Sequence, residues 1–424
     1  MDLSKYFNRV GSISQYFLAS LVPLVLNLVS NPLVAMNMSP EDYAIVGYYK
    51  SFNTLILPLV LFYVLHYYTK RYYELNDEKR LVLKATVFKF LIYASFFISI
   101  LCLIGICVYT IFFNKESHIA LMPYAAINVF SLPLTGLYSL ALIDFRMSRE
   151  SKRFLGLSVS YSFSSIALLL VLVVAFKWGA FGNLLSTFLV NSLFFVFCCY
   201  KNRHLFGVKV DREQFIRMLS FCWPLTLAAM LGFFSNGYDR VYLERLGNVN
   251  ELGYYVVAFS IAQHISVFSN AVGSTFQPDI YQSIASRNLK KYFQFIGIVL
   301  AANALTVMLF IPLAPFVIDI LTAGRYLEST AYVQIMAVSV FASAIYFAIS
   351  QFTIALGFTK ISLYNNILTS VLCVFMFKLV IRGWQFNGAA WGLTITYMIS
   401  SLGNLLFLFV NKKALLYKWN TREL

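Results

Sequence analysis

Long apolar stretches alternate with short basic loops along this chain, and that alternation confines it to a lipid bilayer. Apolar runs long enough to cross the membrane are read at 13–36, 44–68, 86–113, 118–143, 154–176, 179–200, 214–237, 252–276, 292–318, 329–356, 361–381 and 388–410. Each crossing takes about 20 apolar residues as a helix, so twelve use about 240 residues. That demand fits a chain of 424 residues that is 60% hydrophobic and 12% charged. A soluble globular protein carries about 25% charged residues, so an ordinary soluble enzyme is excluded.

The formal charge of +15 arises from 33 Lys and Arg against 18 Asp and Glu. These cations are scattered as loop clusters between apolar runs, so they read as a topological signal and no nucleic-acid partner is expected. With the N-terminus cytoplasmic, 24 fall on the inner side, from Lys5 and Arg9 through Arg146 to Arg153 and Lys201 to Arg217, to Lys360 and then Lys412, Lys413, Lys418 and Arg422. Six fall outside (Lys115, Lys177, Arg240, Arg245, Arg325, Arg382), and Lys50, Lys89 and Lys378 lie within spans. The asymmetry predicts twelve spans with both termini cytoplasmic.

The first apolar stretch is too long for a cleavable signal and reads as the first span. Neither GxxxxGK[ST] nor HExxH occurs, so no ATPase or zinc-hydrolase chemistry, no cofactor and no metal site is expected. The six cysteines (Cys102, Cys107, Cys198, Cys199, Cys222, Cys373) lack paired ligand spacing and read as small buried hydrophobes. The longest outer loop is read from Tyr238 to Glu251, too short to house an elaborate external catalytic site.

The two halves resemble each other at a nearly constant offset. Ser30-Asn31 recurs as Ser235-Asn236 at 205, Gly47-Tyr48-Tyr49 as Gly253-Tyr254-Tyr255 and Leu83-Lys84 as Leu289-Lys290 at 206, and Gly179-Ala180 as Gly388-Ala389 at 209. Agreement in offset predicts a duplicated six-helix unit, 1–205 and 206–424. An even helix count makes the copies parallel, and such repeats commonly enclose a central cavity. The expected fold is therefore an all-α polytopic membrane protein of two six-helix bundles around that cavity.

Polar residues recur at helical spacing in four spans. Span one carries Ser20, Pro23, Asn27 and Asn31; span four Asn128, Ser131, Thr135 and Ser139; span eight Gln263, Ser266, Asn270 and Ser274; span ten Ser339, Ser343, Tyr346 and Ser350. Such stripes either pack helices closely or line a wet cavity suited to hydroxyl-rich ligands. Lys50 stands in the outer half of span two among Tyr48, Tyr49, Ser51, Asn53 and Thr54 and is the cationic candidate. Lys89 and Lys378 lie near span ends and read as snorkelling. His264 reads as a packing residue or a proton carrier. Asp239-Arg240, at the outer end of span seven, reads as a structural ion pair or a gate. The spans show no clear buried carboxylate, which counts against cation-coupled drug export.

The residues that carry a family likeness are Ser39-Pro40-Glu41-Asp42-Tyr43-Ala44, Arg146 to Arg153, Asp239 to Tyr255, Phe276-Gln277-Pro278 and Asn387-Gly388-Ala389-Ala390-Trp391-Gly392. With these the full length resembles a bacterial O-antigen or oligosaccharide flippase of the multidrug/oligosaccharidyl-lipid/polysaccharide exporter superfamily. The resemblance implies passage of a polyprenyl-pyrophosphate-linked oligosaccharide across the inner membrane, with Lys50 meeting the pyrophosphate. It also implies work alongside the polymerase and glycosyltransferases of a polysaccharide pathway. Fewer central arginines, and 12 spans where peptidoglycan-precursor flippases usually have 14, make lipid II a poorer cargo. A drug exporter of the same fold and a membrane-embedded polymerase or ligase are the competing readings.

Overall fold

The computed structural model describes residues 3–115, 117–355 and 359–411. Among them the regular structure is helical: α1 (Leu3–Asn37), α2 (Pro40–Ser51), α3 (Asn53–Leu61), α4 (Val64–Arg71), α5 (Asp77–Phe113), α6 (Tyr124–Met147), α7 (Ser151–Leu169, prolonged by a wider turn over Leu170–Ala175) and α8 (Gly179–Lys201). There follow α9 (Arg212–Met230), α10 (Gly232–Asn236), α11 (Tyr238–Glu244), α12 (Val249–Ala285), α13 (Leu289–Thr322), α14 (Thr330–Ala355) and α15 (Thr359–Val410). Of the residues used for orientation, Lys412, Lys413, Lys418 and Arg422 lie outside the described residues, as do the side chains of Lys5, Arg9 and Lys360 and that of Ser20 in the first stripe.

Ten helical segments are long and apolar enough to cross a membrane, and the shorter Leu21–Asn37 is also apolar. One of the ten, Leu363–Val410, has 48 residues. Straight, it would reach about 72 Å, more than twice a hydrocarbon core. It turns back instead at Gln385 (φ 47°). Asn365 Nδ2 thereby donates to Ser400 O at 2.9 Å, and Gly392 lies so close to Phe377 that a Cβ would stand 2.4 Å from its ring. Gly388 packs as tightly, with room for no Cβ within 2.3 Å of Val380 O. The sequence NGAAWG is thus where two antiparallel arms close on each other.

Span two, read as one run over 44–68, is divided into α2, α3 and α4. Pro58 cannot donate to Thr54 O, and Phe62 and Tyr63 both adopt left-handed backbone at the second break (φ 46° and 52°). Bulky residues hold that conformation only when their surroundings impose it, and here the Tyr63 ring stacks on His66 at 4.5 Å. Span seven is likewise broken, between Met230 and Gly232 and again at Gly237. The segment read as an outer loop, Tyr238 to Glu251, is largely helical, formed by α11 and the first turn of α12.

Two compact units emerge. One runs to Met230 and includes Leu321–Ala323; the other begins at Leu231 and holds the remainder. In the first, α5, α6, α8 and α9 pack around Leu83, Val87, Leu91, Leu137 and Cys222, all buried. In the second, α12, α13 and α14 pack around Ile265, Val307, Ala337 and Val340. Prolines within these helices leave carbonyls without their helical donor, and side chains of neighbouring helices supply one. Ser158 Oγ donates to Ala19 O, four residues before Pro23, at 3.2 Å. Gln334 Nε2 donates to Ile311 O, four residues before Pro315, at 2.9 Å.

Candidate functional site

The placement of Lys50 begins at the SPEDYA motif. Ser39 caps α2 in a reciprocal capping box with Asp42. The second oxygen of that carboxylate accepts from Ala180 N at 2.7 Å, so Asp42 caps α8 as well. Gly179 makes this approach feasible: its φ is +48°, and a Cβ there would fall 2.3 Å from Asp42 Oδ1. Held in this way, α8 presents Asn183, whose Oδ1 accepts from Lys50 Nζ at 3.1 Å.

Lys50 is solvent-accessible although its ammonium is surrounded by protein atoms, and among the described residues no carboxylate lies within ion-pair distance of it. Its tyrosine neighbours do not share its surroundings. Tyr48 and Tyr49 are 2% and 1% exposed, and the Tyr49 hydroxyl is committed to Ala120 O at 2.7 Å. The polar company of Lys50 is therefore Asn183, a residue the sequence reading did not single out. Asn183 and Thr187 stand four apart in span six, and that spacing was the available signal.

The four stripes separate into two kinds. In span four Asn128 is buried and donates to Tyr49 O at 3.0 Å and to Asn53 Oδ1 at 2.7 Å, clamping α6 to the break between α2 and α3. One turn on, Ser131 accepts from Asn191 Nδ2 at 2.8 Å, and Asn191 accepts from Tyr161 at 2.7 Å. In span ten Ser339 is buried and Ser343 half-buried, and each donates back to its own helix, to Met336 O and Val340 O. These groups are spent on packing.

Span eight differs. Gln263 and Asn270 are exposed with no hydrogen bond among the described residues, and Ser274 is exposed on the same face. His264, beside Gln263, is half-buried. In span one Asn27 is exposed and its side-chain amide donates to Pro23 O of its own helix, while Asn31 is half-buried. Asn53 is half-buried and Thr54 is exposed.

Asp239 and Arg240 lie inside the second unit, 0% and 6% exposed. Their ion pair spans 3.4 Å, Tyr255 donates to Asp239 Oδ2 at 2.6 Å, and the guanidinium stacks over Phe259 at 3.8 Å while donating to Asn236 O. Two buried carboxylates therefore exist on α11, Asp239, paired with Arg240, and Glu244, 2% exposed, both beyond the end of the span that closes at Asn236. Lys89 donates to Val208 O at 2.8 Å, and Lys378 is exposed. The six cysteines are free, and among the described residues no cluster of ligands could hold a metal ion.

The model of the polysaccharide biosynthesis protein family matches residues 11–283 of this chain. The chain belongs to that family. Among solved structures, the lipid II flippase MurJ in an inward closed conformation aligns with a TM-score of 0.70 at 14% identity, covering 97% of this chain and 90% of that one. An inward-facing multidrug resistance transporter of the MATE family, in the MOP superfamily, aligns at 0.67 with 15% identity, covering 95% and 99%. An outward-facing transporter of that family aligns at 0.61 with 15% identity, covering 95% of each chain. No curated protein matches the sequence. The protein is thus a multi-pass helical membrane protein that shares the fold of these three structures.

Proposed function

We propose that the protein is a flippase that carries polyprenyl-pyrophosphate-linked oligosaccharide repeat units from the cytoplasmic to the periplasmic leaflet of a bacterial inner membrane. The repeat units would serve an O-antigen or another surface polysaccharide, ahead of the pathway's polymerase. The reading rests on Lys50, a solvent-accessible cation in an apolar span with an amide as partner and, among the described residues, no carboxylate within ion-pair distance. A charge in such a span is costly unless it meets water or an anion. A pyrophosphate crossing hydrocarbon has the complementary need for a cation and donors. Exposed amides at Asn27, Gln263 and Asn270 suit sugar hydroxyls, which both donate and accept. Both termini in the cytoplasm, twelve crossings and alternating access to the two sides of the membrane belong to this reading, with the polyprenyl tail left in lipid.

A cation-coupled drug exporter of the same fold would need a buried carboxylate open to the coupling ion, whereas Asp239 is held by Arg240 and Tyr255 and Glu244, also buried, is partnered as well. A polymerase or ligase would need reactive polar groups in an outer loop, and the segment from Tyr238 is largely helix. The deciding experiment is a deletion strain scored for surface glycan and for accumulated lipid-linked repeat units, complemented by wild type or Lys50→Ala. Loss of glycan with accumulation, restored by wild type, is expected. Normal glycan without accumulation, in a strain with no second flippase, would overturn the reading. Full rescue by Lys50→Ala would remove Lys50 alone.

A further inference from the structure

Two cavities meet on one face of the first unit, one almost wholly apolar and the other carrying charged groups. The larger, about 430 Å³, is a groove between α7 and α8 walled by Gly156, Leu157, Leu193, Phe194 and Phe197. Leu193 and Phe197 are exposed along it, 57% and 50%. The smaller, about 210 Å³, is mixed in character, with Lys84, Asp144, Glu150, Asn202 and His204 beside apolar side chains such as Phe88. Phe145, Arg153, Leu157, Phe197 and Lys201 line both, so the apolar groove opens at one end into the smaller cavity.

The charges at that junction do not cancel. Lys84 is paired with Asp144 at 2.7 Å and Arg153 with Glu150 at 2.6 Å. Asp144 is further held by the Tyr68 hydroxyl at 2.5 Å. Lys201 is exposed, and its contact is the face of Phe145, 5.0 Å from the ring centroid. Three cations therefore face two carboxylates, and the uncompensated one sits where groove and smaller cavity join. An apolar slot ending in a net-positive pocket fits one kind of ligand, an amphiphile with an anionic head.

We propose that this is a binding site for an anionic phospholipid, with an acyl chain in the α7–α8 groove and its phosphate on Lys201 and Arg153. In a bilayer the groove is filled by hydrocarbon from the surrounding lipid, so the smaller cavity decides which lipid stays. Basic pockets between transmembrane helices at the cytoplasmic side hold anionic headgroups, and the positive-inside distribution assigns Arg153 and Lys201 to that side. The site is independent of Lys50 and of the translocation reading.

Native mass spectrometry of the full chain in nonionic detergent, titrated with dioleoyl-phosphatidylglycerol or dioleoyl-phosphatidylcholine, tests it. The first phosphatidylglycerol adduct is expected at about tenfold lower lipid concentration than the first phosphatidylcholine adduct, in line with a charge-assisted phosphate contact. Arg153→Gln with Lys201→Gln brings the two lipids to parity, while Lys201→Arg keeps the preference. Gly156→Leu weakens both lipids, because a Cβ at Gly156 meets nothing within 4 Å and the added side chain grows into the groove. Equal binding of the two lipids by wild type, or a preference that survives the double substitution, overturns the proposal.

Discussion

The stripes on α6 and α12 are nearly indistinguishable as sequence, yet the fold uses them in opposite ways. On α6, Asn128 and Ser131 are buried and every partner is a neighbouring helix. On α12, Gln263, Asn270 and Ser274 stand exposed in a segment otherwise apolar enough to span a membrane. The difference teaches that spacing alone puts polar groups on one face of a helix, while the neighbouring helices decide whether that face is consumed in packing or left open. Span two contains both uses within four residues: Asn53 joins the clamp of Asn128, and Lys50 points out to Asn183.

The comparison breaks most visibly through Asn128→Ala. It removes the side-chain donor to Tyr49 O, which keeps Phe52 N, and strips the Asn53 amide of its partner, and should cost about 2 kcal/mol of stability. Thermal unfolding in detergent measures this, and transport per folded molecule should persist. Lys50→Ala is expected to do the reverse, lowering translocation about tenfold, the loss of roughly one charge-assisted contact, with the melting temperature unchanged; Lys50→Arg should restore most of it. Export of lipid-linked repeat units in the complemented deletion strain is the measurement. Smaller still, Gln263→Ala with Asn270→Ala should reduce transport about threefold with stability within about 0.5 kcal/mol, as for exposed substitutions. A melting temperature lowered as far as by Asn128→Ala would merge the two kinds of stripe. The smallest effect belongs to Ser158→Ala, which leaves Ala19 O unpaired and should cost about 0.6 kcal/mol, the average for such bonds between membrane helices.

Much of the architecture was legible in advance because hydropathy and length act locally. The apolar runs correspond to helices α1 to α15, and the fold-back at Gln385 falls between the runs read at 361–381 and 388–410. The breaks in spans two and seven were not legible, since Phe62 and Tyr63 carry no turn signature and take left-handed backbone only under the packing around them. Of the candidate site, Lys50 stood out because an isolated cation in an apolar run is rare. Asn183 and the second role of Asp42 did not, because each depends on a contact across more than 130 residues. The repeat shows the same limit: Tyr49 and Tyr255 match at offset 206 and are both buried, yet one donates to Ala120 O and the other to Asp239.

The sequence by itself determined that this chain lives in a membrane and how its polar faces are spaced, because hydrophobic burial and helical period are properties of residues and their neighbours along the chain. Only the tertiary structure decided which polar faces are consumed in packing, where spans two and seven break, and that the groove of α7 and α8 ends beside Lys201. Those outcomes depend on which helices meet, and the free energy of a polar group is set by the partner it finds there.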